Sequence, residues 1–266
     1  MTEAEKLFSQ IFTRWLNRQG FITSFRRTSQ EGMKAAEENI QKQVAEFTNQ
    51  MAKSNDYDKI FSDKEAFFKT IPPEKMTHDM TKQTIDQAQI AVDAASVVFA
   101  HSVVDGAALD YCRVTALVAP ADWVSAIDQR SIKLSDVRSS SYDQLLKGKL
   151  EEYFEQLERE SLLKKTDLLF ARCQPPDKWS PMANYAFDRD RLKRLDDYRH
   201  EVIHGNAPIK ALPSADKEVD YLMRMVLFFQ GLVNLRYGLK LDPFYAFTGV
   251  EVPTPAAARS LPKGPS

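Results

Sequence analysis

Glycine is scarce in this 266-residue chain, at 9 residues, and no glycine-rich stretch has the form of a phosphate-cradling loop. That argues against a phosphate-loop nucleotide enzyme. Cysteine is scarcer still: Cys112 and Cys173 are the only 2. They read as buried thiols in a reducing compartment and not as a disulfide framework. Charge excess is absent too, since 36 basic and 37 acidic residues leave a formal net charge of −1. A globally basic nucleic-acid binder is thereby excluded, and any RNA contact must use a local patch. No internal repeat is visible. The opening residues, Met1 to Lys6, contain no apolar signal core. The most apolar stretch, Ala94 to Val118, is interrupted by His101, Asp105, Asp110 and Arg113, which predicts a core helix and not a membrane span. Alternating apolar and polar runs between turn residues are missing, so strands are not expected. The expectation is a cytoplasmic protein with no membrane partner.

What the chain does have is helical periodicity along nearly its whole length. A short amphipathic helix is predicted over 3–18, through Leu7, Ile11, Trp15 and Leu16. After Gly20 and the Arg26-Arg27 pair comes a polar helix of about 25 residues. Its narrow stripe, Met33, Ile40, Val44, Phe47 and Met51, suits packing on a partner helix. A third helix near 62–70 ends before Pro72-Pro73, the clearest internal boundary. A long helix rich in Ala and Val follows over about 78–118, where small side chains permit close approach at the centre of a bundle. Pro120 opens a short irregular stretch holding Trp123. Further helices are predicted over about 141–173, 187–204 and 215–237, the last closed by Gly238. The expected fold is therefore all-α: a helical bundle over 78–240, an N-terminal helical arm over 1–77, and a flexible tail over 241–266. Pro, Ala, Ser and Gly dominate that tail beyond about residue 249.

The most informative segment is Asp196 to Asn206, Asp-Asp-Tyr-Arg-His-Glu-Val-Ile-His-Gly-Asn. It supports two incompatible readings. His200-Glu201-x-x-His204 has the spacing of a zinc-protease helix, in which two imidazoles one turn apart hold the metal and the Glu serves as base. Arg199-x4-His204 has the spacing of a metal-independent ribonuclease motif. On a helical projection, Leu192, Leu195, Val202 and Ile203 form one apolar stripe with Arg199 inside it. A guanidinium among aliphatics needs partners or a cleft. His200 and His204 fall on a different face, flanked by Asp196, Asp197 and Lys193, which reads as solvated. No His follows His204, and the best third zinc ligand, Glu218, lies only fourteen residues on. The projection favours Arg199 as the special residue and leaves the metal reading as an alternative. Gly205 and Pro208 should end the helix, with Gly205 in a left-handed conformation. His204 then lies in the last turn, where the helix dipole favours its cationic form. Arg199 and His204 diverge by roughly 140° on a straight helix, so cooperation needs local unwinding or a second copy of the motif.

The order of helices from 78 to 238, together with Arg199-His200-x-x-x-His204-Gly205, resembles the HEPN superfamily of helical bundles. The resemblance covers about 160 residues and rests chiefly on the Arg-x4-His motif. It implies a metal-independent endoribonuclease, without cofactor, that pairs as a homodimer and brings two motifs into one cleft, in a defence or RNA-processing role. Other members keep the fold without nuclease activity, which leaves a non-catalytic dimerisation or interaction module as the second alternative. A regulatory protein partner would fit either. Nothing points to DNA specificity.

The chemistry suits the residues. RNA carries its own nucleophile, the 2′-hydroxyl, so the protein need only move protons and stabilise charge. His204 would act as base or acid, and Arg199 would clamp the phosphate with paired N–H donors. His200 would orient the phosphate, and Asn206 is placed with the supporting residues. The resemblance also implies an acidic residue on the central helix near the motif arginine, and Asp105 is the matching position. His101 lies one turn before it on the same face; a satisfied buried polar pair is the plainer reading of the two. Arg189, Arg191, Lys193 and Arg194 alternate with Asp188, Asp190, Asp196 and Asp197, the pattern of a solvated face more than of an RNA patch.

Overall fold

The computed structural model describes residues 1–53, 73–127, 141–205 and 208–248. Among them are eight α-helices, one 3-10 turn and no strand, so the all-α expectation holds. The expected helix at 62–70, Asn206 and the tail beyond 248 lie outside the described residues.

Helix α1, Glu3–Lys53, opens on a capping box in which Thr2 and Glu5 satisfy each other's backbone N–H. It runs unbroken through Gly20, where two helices were expected. A mid-helix glycine costs only about 1 kcal/mol, and packing on both sides offsets it. Ala4, Phe8, Ile11, Trp15 and Ile22 are all buried in the common core, and the Trp15 indole donates to the Met223 carbonyl at 2.8 Å. The first half of the expected N-terminal arm is thus part of the bundle's core. Met33, Ile40 and Val44 beyond it are half-buried, as the narrow stripe foresaw.

Helix α2, Pro73–Val118, is the hub. The contacts Phe8–Tyr111, Arg14–Asp110, Phe21–Phe99 and Arg26–Asp93 descend along one helix as they ascend the other, so α1 and α2 are antiparallel. Over His78–Val118 it is long and apolar enough to cross a membrane by composition. Its Ala94, Val97, Ala100, Val104, Ala108 and Cys112 are nonetheless all fully buried against neighbouring helices, as a core helix requires.

The 3-10 turn Pro120–Trp123 and the one-turn α3, Val124–Ile127, bury Trp123 and Ile127. The single helix expected over 141–173 is two: α4, Tyr142–Glu158, and α5, Leu162–Cys173. Ser161 ends the run because its hydroxyl caps the new helix, accepting from the Lys164 N–H at 3.2 Å. The kink turns Leu162, Lys165, Thr166 and Leu169 into the core together. Helix α5 closes on Gln174 in the left-handed region, before Pro175-Pro176.

Helix α6, Arg189–His204, is capped by Asp188, which accepts from the Arg191 N–H at 2.9 Å. Helix α7, Ala215–Tyr237, carries the second half of the core and ends on left-handed Gly238. The first residues of the expected flexible tail are ordered. Pro243–Thr248 forms α8, whose Tyr245 and Ala246 are buried; Thr13 donates to the Ala246 carbonyl at 2.5 Å.

Candidate functional site

The motif occupies the C-terminal end of α6. Leu192 and Leu195 are buried, Arg199 and Val202 half-buried, and Ile203 is 46% exposed. The predicted stripe therefore holds for its first two turns and frays at Ile203, where the neighbouring helices no longer cover it. Arg199 keeps a buried Nε with no hydrogen-bond partner, and no ion pair joins it to another described residue.

His200 and His204 are both exposed, one turn apart, with ring centroids 4.9 Å from each other. They share the outer face while Arg199 points inward, so the motif residues stand on different sides of the helix. Gly205 is not left-handed as expected; it is extended, at φ −73°. A glycine is required there for another reason. Its N–H donates to the Glu201 carbonyl at 2.7 Å, and a Cβ at this position would collide with that same oxygen. Tyr198, Glu201, Val202 and Gly205 line a small hollow of about 210 Å³ with Pro208, Ile209 and Lys210. The Tyr198 hydroxyl donates to the Lys210 carbonyl at 3.3 Å across it. Burial, and then the nearby Asp93 and Glu201 carboxylates, push the Tyr198 phenol up.

The two residues on the central helix serve a different purpose from the one their spacing suggested. Asp105 does not face Arg199. It pairs at 2.6 Å with Lys165 of α5, whose side chain is 1% exposed and also donates to the Glu158 carbonyl. His101, equally buried, puts Nε2 2.5 Å from Asp196 of the motif helix, while its Nδ1 has no partner. Asp196 also accepts from the Leu163 N–H at 3.4 Å. The pair His101–Asp105 is therefore split between two clamps, one onto α6 and one onto α5. Neither lies at the motif's end of α6.

Sequence reasoning missed Lys165, Asp196 and the Arg26–Asp93 pair at 2.8 Å, which fastens α1 to α2 beside Tyr198. A signal existed for Lys165, which sits in a stripe with Leu162 and Leu169. None existed for Asp196, which by sequence resembles any solvated acid on a charged helix.

The third ligand weighed for a zinc site, Glu218, binds the Arg191 Nε at 2.7 Å. Among the described residues no three His, Cys, Asp or Glu side chains converge as a metal site would need. Arg189, Lys193 and Arg194 are exposed, as a solvated face requires, with Arg189 bidentate to Asp167; Arg191 is half-buried and lies over the Tyr221 ring at 4.2 Å. Both cysteines are free and buried, and burial pushes the Cys173 thiol up to about 12. Comparison with known protein families, curated proteins and solved structures finds no match for this chain.

Proposed function

We propose that this protein is a metal-independent endoribonuclease of the HEPN type, acting in the cytoplasm as a homodimer. The observation that carries the reading is Arg199. A guanidinium half-buried beside Leu192 and Leu195, with an unpartnered Nε, is held without a fixed counter-charge among the described residues. A phosphate is the group such a fork fits best. Two exposed imidazoles stand within the next five residues, available for proton transfer. His204 takes the proton of the ribose 2′-hydroxyl as its oxygen attacks phosphorus. The bond from phosphorus to the 5′-oxygen breaks, and a protonated imidazole returns a proton to that leaving oxygen. The products are a 2′,3′-cyclic phosphate, which water can open, and a free 5′-hydroxyl. Arg199 stabilises the charge gathered on the phosphoryl oxygens between these steps.

Arg199 and His204 diverge around α6, so the reading assigns the complete site to two subunits. Ile203 and Ile209, at 46% and 40% exposure, border the motif and supply apolar surface for self-association. The deciding experiment incubates labelled RNA with the wild type, Arg199→Ala and His204→Ala proteins, with and without a chelator. Chelator-resistant cleavage lost in both variants is the expected result. Full cleavage by a stably folded Arg199→Ala protein, or a protein that stays monomeric at micromolar concentration, would end this reading.

A non-catalytic interaction module is the second reading, and one surface favours it. Phe21, 58% exposed, stacks on Phe25 and packs against Phe99 across the outer face of α1 and α2. An exposed aromatic cluster of this kind suits a regulatory protein partner. The absence of any RNA cleavage, with that partner retained, would select it.

A further inference from the structure

A cleft of about 650 Å³ opens beside the N-terminal end of α6, a helix length away from His204. Five aromatic rings line it: Phe170 of α5, Trp179, Tyr185 and Phe187 of the connecting loop, and Phe228 of α7. They gather around Phe228, with centroids 5.3 Å away for Tyr185, 5.7 Å for Trp179 and Phe170, and 6.0 Å for Phe187. Phe228 is buried, whereas Phe170, Trp179 and Phe187 are only half-buried and leave ring surface open.

The loop is held in this shape at some expense. Gln174, Lys178 and Asn184 all adopt positive φ, at 47°, 59° and 63°, each a strained conformation for a residue with a side chain. Helix α7 comes so close that a Cβ on Gly231 would lie 2.6 Å from Pro181 and 3.1 Å from the Trp179 ring. The Tyr185 ring lines the cleft while its hydroxyl is buried beside Tyr221. Tyr185 is 6% exposed, and its hydroxyl has no hydrogen-bond partner. The neighbouring Tyr221 hydroxyl is turned to Asp188, donating to its carbonyl at 2.9 Å and accepting from its N–H at 3.2 Å. Gln174, Asp177, Lys178 and Ser180 form a polar rim.

We propose that this cleft receives an unpaired nucleobase of single-stranded RNA, stacked among the rings within the polar rim of Gln174, Asp177, Lys178 and Ser180. The polymer's identity rests on the ribonuclease reading; the stacking site does not. Pockets for ligands of nucleotide size hold about 300–1,000 Å³ and are mostly aromatic with a few convergent polar groups, as here. Stacking on aromatic faces is the usual way a protein grips single-stranded RNA, because every base has a π-face and only unpaired bases expose it. From Arg189 at the cleft end, Arg199 lies ten residues along α6, roughly 15 Å, and His204 fifteen, roughly 22 Å, at 1.5 Å per residue. The bound base is therefore several nucleotides from the bond that is cut.

Tryptophan emission tests this directly. Of the 3 tryptophans, Trp15 and Trp123 are buried, and Trp179 is the half-exposed one. The full-length protein is titrated with a 2′-O-methyl RNA of about ten nucleotides, which cannot be cleaved, with an abasic strand of equal length, and with a mononucleotide. The base-bearing strand should quench the emission, and the abasic strand should not. The mononucleotide should quench only weakly if the chain's phosphates contribute, and as fully as the strand if the cleft serves a free nucleotide; the first result sustains the proposal and the second overturns it. Phe187→Leu, which keeps apolar bulk but removes a ring, should weaken strand binding roughly five- to a hundred-fold. Trp179→Phe should remove the signal while binding, followed by anisotropy, persists. No quench by the strand, equal binding of the abasic strand, or quench only by a proline-rich peptide would overturn the proposal. Retained quench in a protein that cleaves no RNA would sustain the cleft and sink the nuclease reading alone.

Discussion

Two groups of polar residues lie on or against α6, each built around histidine and a long cationic side chain, and are put to opposite uses. At its middle, His101 and Asp196 are clamped together, and Lys165 and Asp105 form a second clamp one turn along α2. At its end, His200, His204 and Arg199 make no ion pair with any described residue, and both imidazoles face solvent. His101 and Lys165 of the first group are buried between α2, α5 and α6, each 1% exposed, so each must be answered by a carboxylate. The second lies where α6 outruns its neighbours. A residue's type says what chemistry it can do; whether that chemistry is already spent on holding the fold depends on what packs around it.

Breaking the inner group should have the largest effect on stability. Lys165→Ala leaves Asp105 without its partner and removes a buried stem, and should destabilise the protein by about 3 kcal/mol or more. Urea unfolding would measure it. The double variant Lys165→Met with Asp105→Leu should recover most of that loss, because it removes both charges together. If the single and double variants prove equal, the pair is not the clamp described.

The outer group should respond in reverse. Arg199→Ala and His204→Ala should each lower RNA cleavage by about a hundred-fold or more. Stability should shift by no more than about 1 kcal/mol in either direction for Arg199→Ala, and less for the exposed His204. Parallel measurement of activity and thermal midpoint separates the two groups cleanly: inner variants lose the fold, outer variants lose the chemistry.

Gly205→Ala tests the end of the helix that carries the outer group. The new Cβ would strike the Glu201 carbonyl and should cost about 1 kcal/mol or more, with the last turn and His204 displaced. Cleavage should fall further than stability does. The smallest effect is expected from Glu201→Gln. Glu201 is exposed, 3.8 Å from the Lys210 ammonium, and as no general base it should leave both cleavage and midpoint unchanged. Loss of activity in this variant, with sensitivity to a chelator, would turn the site into a zinc centre instead.

The periodicity of 3.6 residues made the all-α class legible, and with it the hub role of the Ala- and Val-rich α2 and the end of α6 near His204. These follow from local chemistry: small side chains permit close packing, and a proline such as Pro208 cannot continue a helix. The position of Arg199 was legible for the same reason: inside an apolar stripe by sequence, it is half-buried beside Leu192 and Leu195 in the fold. Other features were decided by contacts distant in sequence. Gly20 predicts a break, but Trp15 and Phe21 on either side are held against α7 and α2, and α1 passes through. His101 and Asp105 share a face at four-residue spacing, yet their partners sit 95 and 60 residues away. The aromatic cleft joins rings from two helices and a loop, no two of which announce one another in the sequence. Helical spacing reports which residues share a side; only the packing of one helix on another determines what that side meets, because the energy of a buried charge or ring lies in its neighbours.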